Sequence, residues 1–184
     1  MILMRVQGAP FADTRNRQTL LLYGDRNAAR GVALRACIEK GRIGKRALYL
    51  QQRLLAFDET ILRSAGGSEN VILGIFESLD EVAPLISEIK PSVAVIDPVN
   101  GIGGGYLSWR QLALDLFEMT SAAARLQTTL ILLCDMTEWN GISIPRHYSL
   151  IRKFCDREIE VDNSKEWGSG EQADGTKASD WLQK

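Results

Sequence analysis

The sequence predicts a doubly wound α/β domain with a mostly parallel sheet. Short apolar runs alternate along the chain with longer helical patterns, and the runs are continuously apolar instead of alternating with polar residues. Such runs of Val, Ile and Leu are typical of parallel strands that helices cover on both faces. The 184 residues, 45% of them hydrophobic, suffice for one sizeable core. We therefore expect one domain over residues 1–162, followed by a polar tail over residues 163–184 that we expect to be disordered.

Six segments are predicted as strands and five as helices. The strands are residues 19–23, 47–51, 71–76, 92–97, 129–134 and 158–161. The helices are residues 28–40, 54–64, 79–89, 108–127 and 146–154. Ser78 and Glu81 form a capping box before the third helix, and Lys90-Pro91 ends it. Residues 1–6 are a further candidate for an edge strand.

The composition excludes several classes of protein. A net charge of −1 argues against a globally basic nucleic-acid binder, although it permits a local basic patch. No apolar run approaches the roughly 20 residues of a membrane span. The three cysteines, Cys37, Cys134 and Cys155, lie in apolar stretches and indicate reduced core thiols in a cytoplasmic protein. With the single histidine His147 and no Cys-x-x-Cys, we expect no metal site.

The segment from Gly24 to Gly31 has the spacing of the phosphate-binding loop G-x-x-x-x-G-K-[ST], between a predicted strand and a predicted helix. Only Gly24 matches, because Ala29 stands at the second glycine, Arg30 at the lysine and Gly31 at the magnesium-binding hydroxyl. Three interpretations stay open: a plain turn without ligand, a retained but inactive nucleotide site, and an unorthodox active ATPase. In an exposed, vestigial turn, Arg30→Ala would change stability by at most about 0.5 kcal/mol.

Asp97 is the second candidate in the same site. It ends the apolar run of residues 93–97, which is the pattern of a Walker B strand, whose aspartate orients magnesium. The alternative is an aspartate without a ligand at the end of a strand. The predicted cofactor-binding set is therefore Gly24, Arg30, Gly31 and Asp97, for ATP or ADP bound weakly if at all.

The order of these segments resembles a known superfamily. Residues 88–98, Glu-Ile-Lys-Pro-Ser-Val-Ala-Val-Ile-Asp-Pro, resemble the helix, Lys-Pro turn and strand of bacterial RadA and KaiC-type proteins. Residues 108–127, 128–134 and 145–151 resemble the helix, the strand and the Pro-Arg passage that follow there. The resemblance covers residues 19–161 and implies a RecA-like P-loop fold that assembles head to tail.

The departures from that superfamily indicate lost catalysis. ATP hydrolysis in the RecA-like class needs a lysine on the phosphates, a hydroxyl on magnesium and a carboxylate that positions water. Arg53 falls near the position of that carboxylate, so all three groups are missing. The resemblance therefore predicts a pseudo-ATPase without catalytic residues, which pairs with itself or with a RecA-like partner. The alternatives are a nucleotide-binding regulator that uses Arg30 and Asp97, and a DNA-binding recombination or repair accessory protein.

Two predicted loops, residues 100–106 and 135–144, follow strands at the carboxyl edge of the sheet, where ligands bind in such folds. Four residues in or near them are candidate contacts to nucleic acid or a protein partner: Trp109, Trp139, Arg146 and Arg152. Partly buried tryptophans and solvated arginines are the alternative interpretation. Basic residues also cluster at 15–17, at 42–46 and at 146–153, and two of these clusters on the same face as the glycines at 103–105 would indicate nucleic-acid binding through phosphate contacts.

Overall fold

The computed structural model describes residues 18–52, 69–101 and 108–162. The strands are β1 (Thr19–Gly24), β2 (Ala47–Gln52), β3 (Val71–Phe76), β4 (Val93–Asp97), β5 (Thr129–Leu133), β6 (Met136–Trp139), β7 (Ile142–Pro145) and β8 (Arg157–Val161). The α-helices are α1 (Arg26–Arg42), α2 (Val82–Ile89), α3 (Trp109–Leu126) and α4 (Tyr148–Ile151), with 3₁₀ turns at Leu79–Glu81 and Arg152–Phe154. Among the described residues, no helix is both long and apolar enough to cross a membrane. The predictions for residues 1–6, 54–64, 103–105 and 163–184, and for Arg53, fall outside the described ranges.

Six strands form one sheet in the order β3-β2-β4-β5-β1-β8, and every pairing between them is parallel. All six predicted strands are present, and no end of a strand differs from its predicted position by more than one residue. The doubly wound, parallel α/β fold is confirmed.

The two faces of the sheet carry separate apolar cores. Leu20 and Leu22 pack in the cluster that contains α1, whereas Leu21 packs in the opposite cluster with α2 and α3. This division follows from the period of two in a strand, which sends successive side chains to opposite faces. Tyr49 of β2 and Val95 of β4 lie on the α1 face. The residues two positions further along, at the carboxyl ends of these strands, therefore also point toward α1.

Two helical predictions need correction at their ends. The predicted helix 79–89 begins with a 3₁₀ turn, and α2 proper starts at Val82. Its capping box is present, since the Glu81 carboxylate accepts a hydrogen bond from the Ser78 backbone N–H at 3.2 Å. The predicted helix 146–154 is only α4 followed by a 3₁₀ turn, because His147 has a left-handed backbone (φ 60°) that delays the helix.

The predicted loop at residues 135–144 is wrong, because β6 and β7 form an antiparallel hairpin there. Its turn is Asn140-Gly141, and both residues have positive φ (52° and 75°). Asn-Gly is the preferred pair for a two-residue hairpin turn, whose twist matches that of the flanking strands. The sequence signal for the hairpin was therefore present.

Gly24 has a steric role at the end of β1. Its φ is 109°, and a Cβ at this position would lie 2.3 Å from the backbone oxygen of Val161 in β8. The same oxygen accepts a hydrogen bond from the Asp25 N–H at 2.8 Å. The chain therefore leaves the sheet against β8 at a point where only glycine fits.

We expect opposite effects from alanine at the two glycines of this segment. Gly24→Ala should lower the free energy of unfolding by at least about 2 kcal/mol, because of strain and the clash with Val161. Gly31→Ala should raise it by about 0.5–1 kcal/mol, since Gly31 is a solvent-facing helix residue and a Cβ there has no heavy atom within 4 Å. Urea unfolding of both variants measures these changes. Equal effects of the two substitutions would contradict the assigned role of Gly24.

Candidate functional site

Arg30 and Asp97 form an ion pair where the first turns of α1 meet the carboxyl end of β4. Arg30 Nε lies 2.7 Å from Asp97 Oδ2, and Arg30 Nη2 lies 3.4 Å from Oδ1. The two side chains are only 11% and 2% exposed. Arg30 therefore belongs to a helix and to a largely buried pair, and the interpretation of it as an exposed turn residue is wrong.

Tyr49 completes this pair from β2. Its hydroxyl donates a hydrogen bond of 2.8 Å to Asp97 Oδ2, and its side chain is fully buried. Burial, together with the negative charge of Asp97 and the hydrogen bond to it, raises the pKa of Tyr49 far above its usual range, so the phenol stays protonated as a donor. Asp97 thus receives hydrogen bonds from one helix and one neighbouring strand.

The amino end of α1 also uses its polar groups internally. The helix starts at Arg26, two residues before the predicted start, because the Asp25 side chain caps it and accepts from the Ala28 N–H at 2.8 Å. Arg26 lies 3.6 Å from Asp135, which follows β5. Burial raises the pKa of Asp135 and the charge of Asp97 adds to this, whereas the charges of Arg26 and Arg30 oppose it. The carboxylate of Asp25 thus occupies the helix end at which anions bind in P-loop proteins.

Asn100 holds the carboxyl edge of the sheet together and was missed by the sequence analysis. Its Nδ2 donates to the carbonyls of Asp135 at 2.8 Å and Arg146 at 3.3 Å, and its Oδ1 accepts from the Asp135 N–H at 2.9 Å. The only signal in the sequence was an asparagine three residues after the end of a predicted strand. The structure shows that this asparagine is buried. Tyr49 was also missed, because a tyrosine inside a strand is an ordinary core residue.

The structure brings together only part of the predicted set. Arg30 and Asp97 meet, Gly24 ends β1 against β8, and Gly31 lies on the exposed side of α1. Ala29 is buried against the sheet. Since α1 already runs through residues 26–31, their backbone N–H groups do not form an open loop around an anion.

Three of the predicted contact residues have described neighbours within the chain. Trp109 is 54% exposed and meets the His147 ring edge-on, with 5.5 Å between centroids. The Arg146 backbone N–H donates to the Asp135 carbonyl at 3.1 Å, whereas Arg152 pairs with Glu158 at 2.9 Å. Trp139 is the last residue of β6. Their roles as contacts stay predictions.

In the part of this edge that the structure describes, charged side chains pair with one another, Arg26 with Asp135 and Arg30 with Asp97. Within the described ranges, no group of three or more His, Cys, Asp or Glu side chains is arranged to hold a metal ion. Asp97 is the acid nearest to a magnesium position in the predicted scheme, and its oxygens already bond to Arg30 and Tyr49.

No model of a known protein family matches the sequence, and no curated protein matches it. A solved structure does resemble it: the KaiC-like protein of the hyperthermophilic archaeon Pyrococcus horikoshii OT3, with a TM-score of 0.57 and 14% sequence identity. The match covers 81% of this chain and 74% of that chain. The fold of this chain is therefore similar to that of the KaiC-like protein. At this identity the likeness shows the fold, and the function needs a separate argument from the site.

We expect the Arg30–Asp97 pair to be strongly coupled in stability. Arg30→Met and Asp97→Asn should each lower the free energy of unfolding by about 3–5 kcal/mol, because each leaves a buried partner uncompensated. The double variant should lose clearly less than the sum, with a coupling of about 2 kcal/mol. Urea unfolding of the wild-type protein, the two single variants and the double variant measures this coupling.

The Arg152–Glu158 pair supplies the matched control. Its side chains are 49% and 25% exposed, so a cycle of Arg152→Met and Glu158→Gln should give a coupling of at most about 1 kcal/mol. A coupling at Arg30–Asp97 no larger than in this control would show that the first pair is not the buried constraint that its geometry indicates.

Proposed function

We propose that this protein is a non-catalytic RecA-like domain, a pseudo-ATPase, that works as a binding or assembly module. The observation that carries the proposal is the ion pair between Arg30 and Asp97. In the P-loop alignment these two residues stand at the phosphate-binding lysine and at the Walker B aspartate. Each now has the other as its partner.

The cost of opening this pair supports the proposal. A nucleotide phosphate would have to compete with Asp97 for the largely buried guanidinium of Arg30. Its binding would leave the buried Asp97 carboxylate without a positive partner. A magnesium ion would meet the converse obstacle, because Asp97 also accepts from Tyr49. Binding of either ligand therefore carries a free-energy cost, the separation of this ion pair, that a standard phosphate-binding loop does not impose.

The loop geometry supports it further. Phosphate binding by such loops depends on free backbone N–H groups at a helix start and on the absence of Cβ atoms beside the anion. Here Asp25 caps the helix with a negative charge, and Ala29 carries a buried Cβ. At the hydroxyl position, Gly31 offers no ligand for magnesium.

An assembly role needs a surface, and α3 provides one. Leu114 and Phe117 are 49% and 60% exposed, and residues three apart on a helix are neighbours on one face. Exposed aromatic and aliphatic groups of this size are typical of contact surfaces. We propose that the partner on α3 is a second copy of this chain or another RecA-like protein.

Magnesium-ATP should leave the melting temperature of the wild-type protein unchanged at millimolar concentration, because its phosphate-binding groups are engaged internally. A ligand at 100 times its dissociation constant would stabilise the native state by about 2.7 kcal/mol, which a thermal melt detects. An active P-loop ATPase under the same conditions is the positive control. A clear upward shift would replace the proposal with the alternative of a nucleotide-binding regulator.

Self-association should depend on the exposed apolar pair of α3. We expect the wild-type protein to sediment as an oligomer at high micromolar concentration, and Leu114→Gln with Phe117→Gln to shift it to the monomer, since these side chains would otherwise be desolvated at the contact. Ile142→Gln, an equally exposed apolar residue on the hairpin, is the control and should keep the oligomer. Monomeric wild-type protein with no RecA-like partner would contradict the assembly proposal.

A further inference from the structure

We propose that the edge of the sheet opposite to the ion pair binds the phosphate backbone of nucleic acid. Four exposed cations meet at the amino ends of β2 and β4, and we call them the amino-edge basic patch: Arg42, Lys45, Arg46 and Lys90. The patch lies away from the carboxyl edge, where Arg30 and Asp97 meet. The glycines at 103–105, beside which the sequence predicts nucleic-acid contacts, fall outside the described residues.

Hydrogen bonds join the two chain segments that carry the patch. Arg46 Nη1 donates to the Ile89 carbonyl at 3.3 Å, which places its guanidinium beside Lys90, the residue that ends α2. The Ser92 N–H donates to the Arg46 carbonyl at 2.8 Å and joins the start of β4 to that of β2. The patch is therefore assembled by the fold from two separate segments of the chain.

Glu39 lies beside the patch: burial raises its pKa, and the positive charges of Arg35 and Arg42 oppose this rise. Among residues 18–52, 69–101 and 108–162, no carboxylate makes an ion pair with any of the four cations. The acids nearest along the chain are Glu39, Glu69 and Glu88. Lys40 lies in the same segment: burial lowers its pKa, the positive charge of Lys45 lowers it further, and the negative charge of Glu39 opposes both effects.

The composition of the patch favours nucleic acid over an acidic protein. Protein–protein contacts depend on desolvated apolar and aromatic anchors, and lysine is depleted from them. The patch has one exposed apolar residue, Ile43, and no aromatic residue. Interfaces with nucleic acid are instead polar and strongly positive, and most of their contacts go to phosphates without reading sequence. A net charge of −1 for the whole chain makes this concentration of cations a local feature.

The test is the salt dependence of binding to a labelled DNA duplex, measured by fluorescence anisotropy on the full chain. Arg42→Gln with Lys45→Gln should reduce the slope of log Kobs against log salt by about 1.8, which corresponds to roughly 60-fold weaker binding at 0.1 M salt. Lys45→Gln with Lys90→Gln is a second variant of equal charge, for use if the first does not fold. Arg110→Gln with Lys153→Gln removes the same charge outside the patch and should keep the wild-type slope.

Four results would overturn the proposal. They are no binding of the duplex by the wild-type protein at 0.05 M salt, equal losses in the patch and control variants, a larger loss in the control variant, and polyglutamate competing as well as DNA at equal charge. The last result would assign the patch to an acidic protein. A wild-type slope in the control with a reduced slope in the patch variant supports nucleic acid. None of these results depends on whether ATP binds or whether the chain self-associates.

Discussion

The ion pair between Arg30 and Asp97 is the constraint on which the carboxyl edge of this domain depends. A charge inside an apolar layer is tolerated only when its partner is held in place, and here the partner is fixed by β4 and by the hydroxyl of Tyr49. The pair thereby joins α1 to two neighbouring strands of the sheet. The position of the first turns of α1 against the sheet follows from this arrangement.

The fold could be predicted from the sequence because its strands are buried on both faces. Continuous apolar runs such as residues 93–97 have few other structures open to them, and their order along the chain then leaves a parallel sheet as the natural solution. The hairpin was missed because a loop was expected from the resemblance, although Asn140-Gly141 is a strong local signal. Local turn chemistry carried more information there than the comparison with other proteins.

The site was harder to predict, since the sequence pattern singled out Arg30 and Asp97 but not the contact between them. A sequence pattern places Arg30 and Asp97 near each other in a P-loop fold, yet it does not say whether they face a ligand or one another. The side-chain geometry decides this. Gly24 shows the same limit, because a glycine at that position fits both a phosphate-binding loop and a close approach to Val161. Tyr49 and Asn100 had no motif that would single them out.

The mutual burial of Arg30 and Asp97 has a consequence for how this protein changes over evolutionary time. A lineage that replaces either residue alone passes through a form with an isolated charge in the core, which selection on folding removes. The two positions are therefore expected to vary together, as a lysine with an aspartate or as two apolar residues, and to resist change one at a time.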